Sequence, residues 1–304
     1  MKRSLPYIIV FLLITVSCQQ ATAQYDYSEE LYYDHPFTYE IGASVALMNC
    51  FTDLGGRKDI GQKYFKDLNL GNSQLAGSVF FAANYKYAIG IRAEGTFGKV
   101  SATDQSLKNV KPTTYGRYER NLSFKSTIIE LMLAMEIHPR YLFKRYDEGE
   151  KLPRLSPYLM GGIGYFAFNP QAMLNGEWID LQPLRTEGQG FAQYPDRKPY
   201  KLKQLNFPLG IGIKYKVTPL YNVSIECVSR LLNTDYLDDV STEYIDQALF
   251  SQYLSGAQLT NALLLNDRQS ELDPSHTTNV GWQRGNPANK DSYFTINLKM
   301  SLVF

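Results

Sequence analysis

Apolar and polar residues alternate with period two along this chain, in eight separate runs. That period marks a strand whose two faces meet different surroundings. In 39–51, Tyr39, Ile41, Val45 and Leu47 share one face, and Glu40, Gly42 and Ser44 the other. In 74–85 the apolar face is Leu75, Val79, Phe81 and Tyr85. Run 88–100 sets Ile89, Ile91 and Phe97 against Arg92, Glu94 and Thr96. Run 122–138 sets Ile129, Leu131, Leu133, Met135 and Ile137 against Glu130, Glu136 and His138. Run 157–168 is rich in glycine and aromatics, and both of its phases stay open. Run 204–217 sets Leu205, Leu209, Ile211, Ile213 and Tyr215 against Asn206, Lys214 and Lys216. Run 222–231 sets Val223, Ile225 and Cys227 against Glu226 and Arg230, and 293–304 sets Phe294, Ile296, Leu298, Met300 and Phe304 against Thr295, Asn297 and Lys299.

Strand length separates two readings of this pattern. Strands of soluble proteins average about five or six residues, whereas a tilted membrane strand needs about nine to eleven. These runs are mostly about 10 to 14 residues long. The links alternate as well: 52–73, 101–121, 169–203 and 232–292 are long, while 86–87, 139–156 and 218–221 are shorter. Long outer loops and short periplasmic turns are the pattern of outer-membrane barrels. The link 139–156 is long for a turn. The sequence therefore predicts an all-β fold: an eight-stranded antiparallel transmembrane β-barrel over 39–304, with long extracellular loops and both termini periplasmic. Phe304 closes the last run as an aromatic terminus of the kind read by barrel-assembly machinery.

The first residues read as an address. Lys2 and Arg3 precede an apolar stretch from Leu5 to Val16, too short for a membrane helix. Ala21-Thr22-Ala23 then offers a signal-peptidase site, which places cleavage between Ala23 and Gln24 and leaves 24–38 as a periplasmic N-terminal segment. The competing reading is lipidation at Cys18, whose preceding Thr15-Val16-Ser17 makes a poor lipobox.

An interior only wide enough for side chains follows from eight strands. The polar phase sends Glu40, Glu94, Glu130, Glu136 and Glu226 inside with Arg92, Lys214, Lys216, Arg230 and Lys299, five acids against five bases. Buried charges must be paired, so the expected interior is a rigid ion network rather than a pore. Cys50 points inward by phase and Cys227 outward, and no disulfide is expected between them.

Composition narrows the function. A net charge of +1 gives nucleic acid binding no electrostatic support. The 23 tyrosines and 16 phenylalanines suit strands and interfacial girdles. The three histidines are His35, His138 and His276. His276 lies near Ser275 and Asp273, which reads as a polar loop, and no nucleophile, zinc or phosphate motif occurs. The run Asp235, Asp238, Asp239 lacks the spacing of a calcium loop and fits better a capped loop helix beginning near Asp235 or Ser241. No enzyme activity, cofactor or metal is expected.

Several segments together resemble a known family. They are Asn121-Leu122-Ser123-Phe124-Lys125, Leu181-Gln182-Pro183-Leu184, Thr186-Glu187-Gly188-Gln189-Gly190, Thr234-Asp235-Tyr236-Leu237-Asp238-Asp239-Val240-Ser241 with Tyr244, Arg284-Gly285-Asn286-Pro287, and Asp291-Ser292-Tyr293. In order and spacing the chain is similar to the outer-membrane barrels of Bacteroidota typified by PorG. The resemblance implies a non-catalytic barrel and an association with the periplasmic ring of the type IX protein secretion apparatus. Expected partners are outer-membrane lipid, barrel-assembly machinery and periplasmic secretion-ring components; the charged link 139–156 reads as a solvated turn, with a contact to such ring components as the alternative. A binding module acting through its long outer loops is the alternative. A channel is disfavoured by strand count and balanced lumen charge, and an enzyme by the missing constellation.

Overall fold

The structure is a computed structural model and describes residues 36–55, 70–108, 115–144 and 152–304. The signal segment, Ala23, Gln24 and His35 lie outside the described residues. Eight long strands close a ring: β1 (Phe37–Phe51), β2 (Gln74–Tyr85), β3 (Ile89–Thr103), β4 (Ser123–Ile137), β5 (Leu155–Ala167), β8 (Lys203–Lys216), β9 (Tyr221–Leu232) and β10 (Ser292–Val303). Each is antiparallel to its neighbours, and β10 returns to β1 in the register Val45↔Leu298. Beyond the ring, β6 (Pro170–Leu174) and β7 (Glu177–Asp180) form a hairpin that continues along β4 through Lys125↔Gln171.

Alternation places the faces as the sequence implies. Outward-pointing Leu75, Val79, Leu131, Ile211 and Ile225 expose between 62% and 74% of their surface. The inward phase of the same strands buries Glu94, Glu130 and Glu226 to within 2%. Water would penalise so continuous an apolar exterior, whereas hydrocarbon solvates it, and closure leaves no sheet edge unpaired in lipid. The barrel strands have 12 to 15 residues. A tilted strand of that length rises roughly 30 Å along the barrel axis, about a hydrocarbon thickness. The chain is a transmembrane barrel of eight antiparallel strands.

β5 has one phase in the structure: Tyr158, Met160 and Phe166 point in, Leu159, Ile163 and Tyr165 out. Its ladder to β8 pauses between Gly161↔Leu209 and Gly164↔Asn206, where Pro208 has no N–H to give.

The two ends differ. At the end where β1 begins and β10 finishes, Lys86 and Tyr87 turn with positive φ of 48° and 55°, the handedness that suits a two-residue hairpin. The longer link after β4 there contains a short helix, α1 (Pro139–Phe143), tied down by Tyr141 Oη donating to the Pro153 carbonyl at 3.0 Å. At the other end the four long links pack into a cap. The last of them carries α2 (Phe250–Tyr253) and α3 (Gly256–Asn266). The expected helix at Asp235 or Ser241 is not there; this stretch is buried irregular chain, and the helical part begins after Asp246, whose carboxylate accepts the Ala248 N–H at 2.9 Å. Short polar residues at 235–241 bond across loops instead of capping a helix. The cap has its own apolar core, in which Phe191 stacks on Tyr253 at 4.0 Å and packs near Phe250, Leu184 and Leu265.

Candidate functional site

The lumen is the first candidate. Strand alternation sends Arg92, Glu94, Glu136, Glu226 and Lys299 to one level of the interior, where no water competes for them. Arg92 bridges three carboxylates, at 3.1 Å to Glu94, 2.7 Å to Glu136 and 2.8 Å to Glu226. Lys299 closes the circuit at 2.6 Å to Glu94 and 3.0 Å to Glu226. Toward the termini, Lys214 meets Glu40 at 2.8 Å and Glu136 at 3.6 Å. Toward the cap, Arg230 pairs with Glu130 at 3.1 Å. Lys216 is half-buried at the rim, its ammonium 5.8 Å from the Tyr87 ring centre. Strand phase set the neutral Asn206 and His138 on the polar face but did not single out Tyr158 and Tyr293. Tyr158 donates to Glu226 at 2.8 Å, Asn206 and Tyr293 donate to Glu130 at 2.7 and 3.1 Å, and His138 sits between Ser156 at 2.9 Å and Glu136 at 3.4 Å. Tyr158 and Tyr293 are aromatic, and aromatics on a membrane strand suit either face, so their inward aim follows only from the register.

Above this network the bore turns apolar. Met48, Val100, Ile128, Phe166, Phe168 and Tyr293 pack under the cap residues Leu237, Val240 and Tyr200. Charge pairing below and apolar packing above fill the cylinder with side chains. Cys50 packs against this apolar layer, Cys227 is half-exposed, and both are free thiols.

The second candidate is the polar knot inside the cap. Glu187, fully buried, accepts from the Ser241 and Thr242 N–H groups at 2.9 Å each, from the Thr242 hydroxyl at 2.7 Å and from Arg284 at 2.9 Å. Arg284 also donates to the Asp239 carbonyl at 2.8 Å, and Asp239 accepts from Thr186 and Tyr200 at 2.6 Å each. Gly285 passes so close to the 241 backbone that an added Cβ would lie 2.6 Å from Ser241 N and from Asp53 Oδ2. Asp53 accepts the Asn286 N–H at 2.6 Å, which draws the first loop in, and Arg120 of the second loop, held by Asp104 at 2.8 Å, donates to the Asp53 carbonyl at 2.8 Å. The segments 186–190, 234–241 and 284–287, which carry the family resemblance, are thus the residues that tie the loops to one another.

Four carboxyls crowd this knot. Burial, followed by the neighbouring Asp53 and Asp235, holds Asp238 well above the usual carboxylate range. Burial and then Asp238, Asp235 and Asp53 do the same to Asp291. Burial raises Asp53 to about 6 and Asp235 to about 8. Their oxygens accept backbone hydrogen bonds that tie loops together, Leu54 N and Val240 N to Asp238 at 3.2 and 3.0 Å and Leu237 N to Asp291 at 2.8 Å. Among the described residues no group of three His, Cys, Asp or Glu side chains is arranged to hold a metal.

At the surface of the cap, Ser275 Oγ donates to Asp273 at 2.6 Å rather than to His276, so Asp273, Ser275 and His276 make a turn and not a nucleophile–base pair. Elsewhere on that surface an open cavity of about 370 Å³ is walled by three of the loops, with Asp53, Arg117 and Trp282 among its residues.

No curated protein matches the chain in sequence. Among solved structures it is similar to the Neisserial surface protein A, with 7% identity and a TM-score of 0.37 over 88% of this chain and 96% of that one. It is similar to Ail, the attachment invasion locus protein of Yersinia pestis, with 7% identity and a TM-score of 0.34 over 88% and 97%. The outer membrane protein OprG of Pseudomonas aeruginosa matches with 10% identity and a TM-score of 0.36 over 88% and 95%. Residues 39–253, spanning β1 to α2 and so most of the barrel and cap, match the family described as Domain of unknown function (DUF6089), and the chain belongs to that family.

Proposed function

We propose that this protein is a closed, non-catalytic barrel of the outer membrane that anchors protein machinery, as a component of a secretion apparatus of the type IX kind. The observation that carries the closed, non-conducting part is the filled bore: Arg92, with three carboxylate partners within 3.1 Å, stands where a conducting barrel would need water. The secretion part rests on the resemblance to the PorG-typified barrels, whose shared segments here build the knot that holds the cap rigid. In this reading the cap is extracellular, the termini and α1 face the periplasm, and Phe304 is read by the assembly machinery. Arg140, Lys144 and Arg154 then put positive charge on the periplasmic side, toward an acidic surface of a ring component. The described residues of the 139–156 link end at Lys144 and resume at Leu152, so the middle of the proposed contact lies outside them.

A tagged copy, recovered from outer membranes and analysed by mass spectrometry, tests the proposal. Periplasmic ring components should accompany it. Recovery of barrel-assembly factors and lipid alone would overturn the secretion role. Steady conductance in planar bilayers would overturn the closed bore.

A second reading, a binding module acting through its outer loops, is favoured by one specific observation. The cap is a folded body with its own core and an open cavity, which is more than connecting strands requires.

A further inference from the structure

The cavity on the cap has a lining that speaks to its ligand. Its volume, about 370 Å³, falls within the span of small-ligand sites, roughly 300 to 1,000 Å³. Asp53 comes from the first loop, Arg117 and Glu119 from the second, and Tyr244, His276 and Trp282 from the fourth. The last wall is rigid. Glu243 and Gln283 form a β-bridge, Tyr244 N donates to the Trp282 carbonyl at 2.9 Å, and Gly281 N donates to the Tyr244 carbonyl at 2.9 Å.

Two atoms in that wall are incomplete. Tyr244 is 4% exposed, yet its hydroxyl has no hydrogen-bond partner. His276 Nε2 is buried and likewise unpartnered. Buried polar atoms without partners are uncommon in native structures and ask for an explanation. Both residues line this cavity, and both also border an adjoining one of about 450 Å³ that lacks the tryptophan. Beside them the indole of Trp282 stays 48% exposed, with the His276 ring edge-on at 6.2 Å.

The cavity carries no surplus of positive charge. Arg120 is neutralised by Asp104 at 2.8 Å and Arg284 by Glu187 at 2.9 Å, while Asp53 and Glu119 stand in the same lining as Arg117. An anion would find no surplus of positive charge, and an apolar ligand would strand the amides of Gln283 and Asn286. A flat aromatic surface ringed by carboxylates, amides, guanidinium groups and the Tyr244 hydroxyl suits a ligand with an apolar ring face and hydroxyls that both donate and accept. We propose that this cavity binds a neutral saccharide unit, its ring laid on Trp282 and a hydroxyl bonded to Tyr244. The inference rests on the binding-module reading and gives it a ligand class.

The full-length protein, folded in detergent micelles, tests this with methyl α-glucopyranoside, methyl α-mannopyranoside and methyl β-galactopyranoside as probes. Glucuronate and inorganic phosphate serve as charged counterparts. The chain has two tryptophans, so a Trp178→Phe background makes the fluorescence report on Trp282 alone. At least one neutral glycoside should shift that emission and give saturation-transfer signals from its ring protons. In the unmodified background Trp282→Ala should weaken binding by about tenfold or more, the scale of an aromatic hot spot. Tyr244→Phe should also weaken it while leaving thermal stability unchanged or raised, because the hydroxyl it removes has no partner in the protein. A purely structural tyrosine would not show that split. Binding of phosphate or glucuronate without any neutral glycoside would overturn the ligand class, and neutral binding untouched by both variants would overturn the location. If no probe binds while the protein still captures purified surface polysaccharide, the cavity assignment fails and the binding module stands. If neither occurs, both fail.

Discussion

The lumen and the cap both bury ion pairs, and they do so by different means. In the lumen, every charged group sits on a strand, so alternation alone decides which side it faces, and acids and bases interleave: Arg92 between Glu94, Glu136 and Glu226, Lys299 between Glu94 and Glu226. In the cap, the Glu187–Arg284 pair joins positions 97 residues apart on irregular chain, and Asp53, Asp235, Asp238 and Asp291 gather with one another. A regular lattice can balance its charges position by position. A tertiary knot takes whichever groups the loops bring, and burial among like charges raises its leftover acids above the usual carboxylate range. The cap is therefore locked most firmly in acid.

The largest expected effect comes from removing the lumen hub. Arg92→Met leaves Glu136 to Lys214 and His138 and strips one partner from Glu94 and Glu226, so it should cost about 3 to 5 kcal/mol. Loss of the folded, heat-modifiable gel band at a lower urea concentration would show it; an unchanged midpoint would mean the network is dispensable. Next, Glu187→Gln should loosen the cap without the barrel. Protease should cut within the cap loops at a rate raised about tenfold or more, with the folded band retained, since local opening draws on local stability. Loss of the whole barrel instead would erase the distinction between the regions. Gly285→Ala should act in the same way but less, about 1 to 3 kcal/mol, because its methyl meets Ser241 and Asp53 at 2.6 Å.

The smallest effect is a pH slope with a definite sign. Asp53 and Asp235 rise from an ordinary 3.8 to about 6 and about 8, so between those values the folded cap holds more protons than the unfolded one. Stability therefore falls as pH rises from about 4 toward 8, the reverse of the usual carboxylate. Cleavage of the cap should accelerate from pH 5 to pH 8 at constant protease activity, and Asp238→Asn should flatten the trend. A cap that is cut faster in acid would refute the assignment.

These regions also differ in how far the sequence discloses them. Lipid outside and paired charge inside enforce the same two-residue period on β1 to β10, so the eight runs fall within a few residues of the strands. Even so, Tyr158 escaped, because β5 carries aromatics on both faces: Tyr165 outward, Tyr158 and Phe166 inward. In the cap, no period survives. The β6–β7 hairpin did carry a local mark, Asn175-Gly176 with φ of 51° and 87°, but strands of five and four residues offer too few alternations to stand out. Asp235 and Ser241 resemble helix caps in one dimension. Their true partners depend on contacts with distant loops: Ser241 N reaches Glu187, 54 residues earlier in the chain. Composition cannot disclose such pairings; only the folded chain sets them.

The terminal residue zips onto the first strand, Tyr39 N to Phe304 O at 2.9 Å and Phe304 N to Tyr39 O at 3.0 Å. The ribbon of strands therefore has its two free borders on β1 and β10, and they meet each other. Until β10 reaches β1, both borders stand open, ready to pair with any other strand. Joining them closes the longest loop in the molecule, the slowest kind of contact to make. Closure of β10 on β1 is therefore the step that removes both open borders at once.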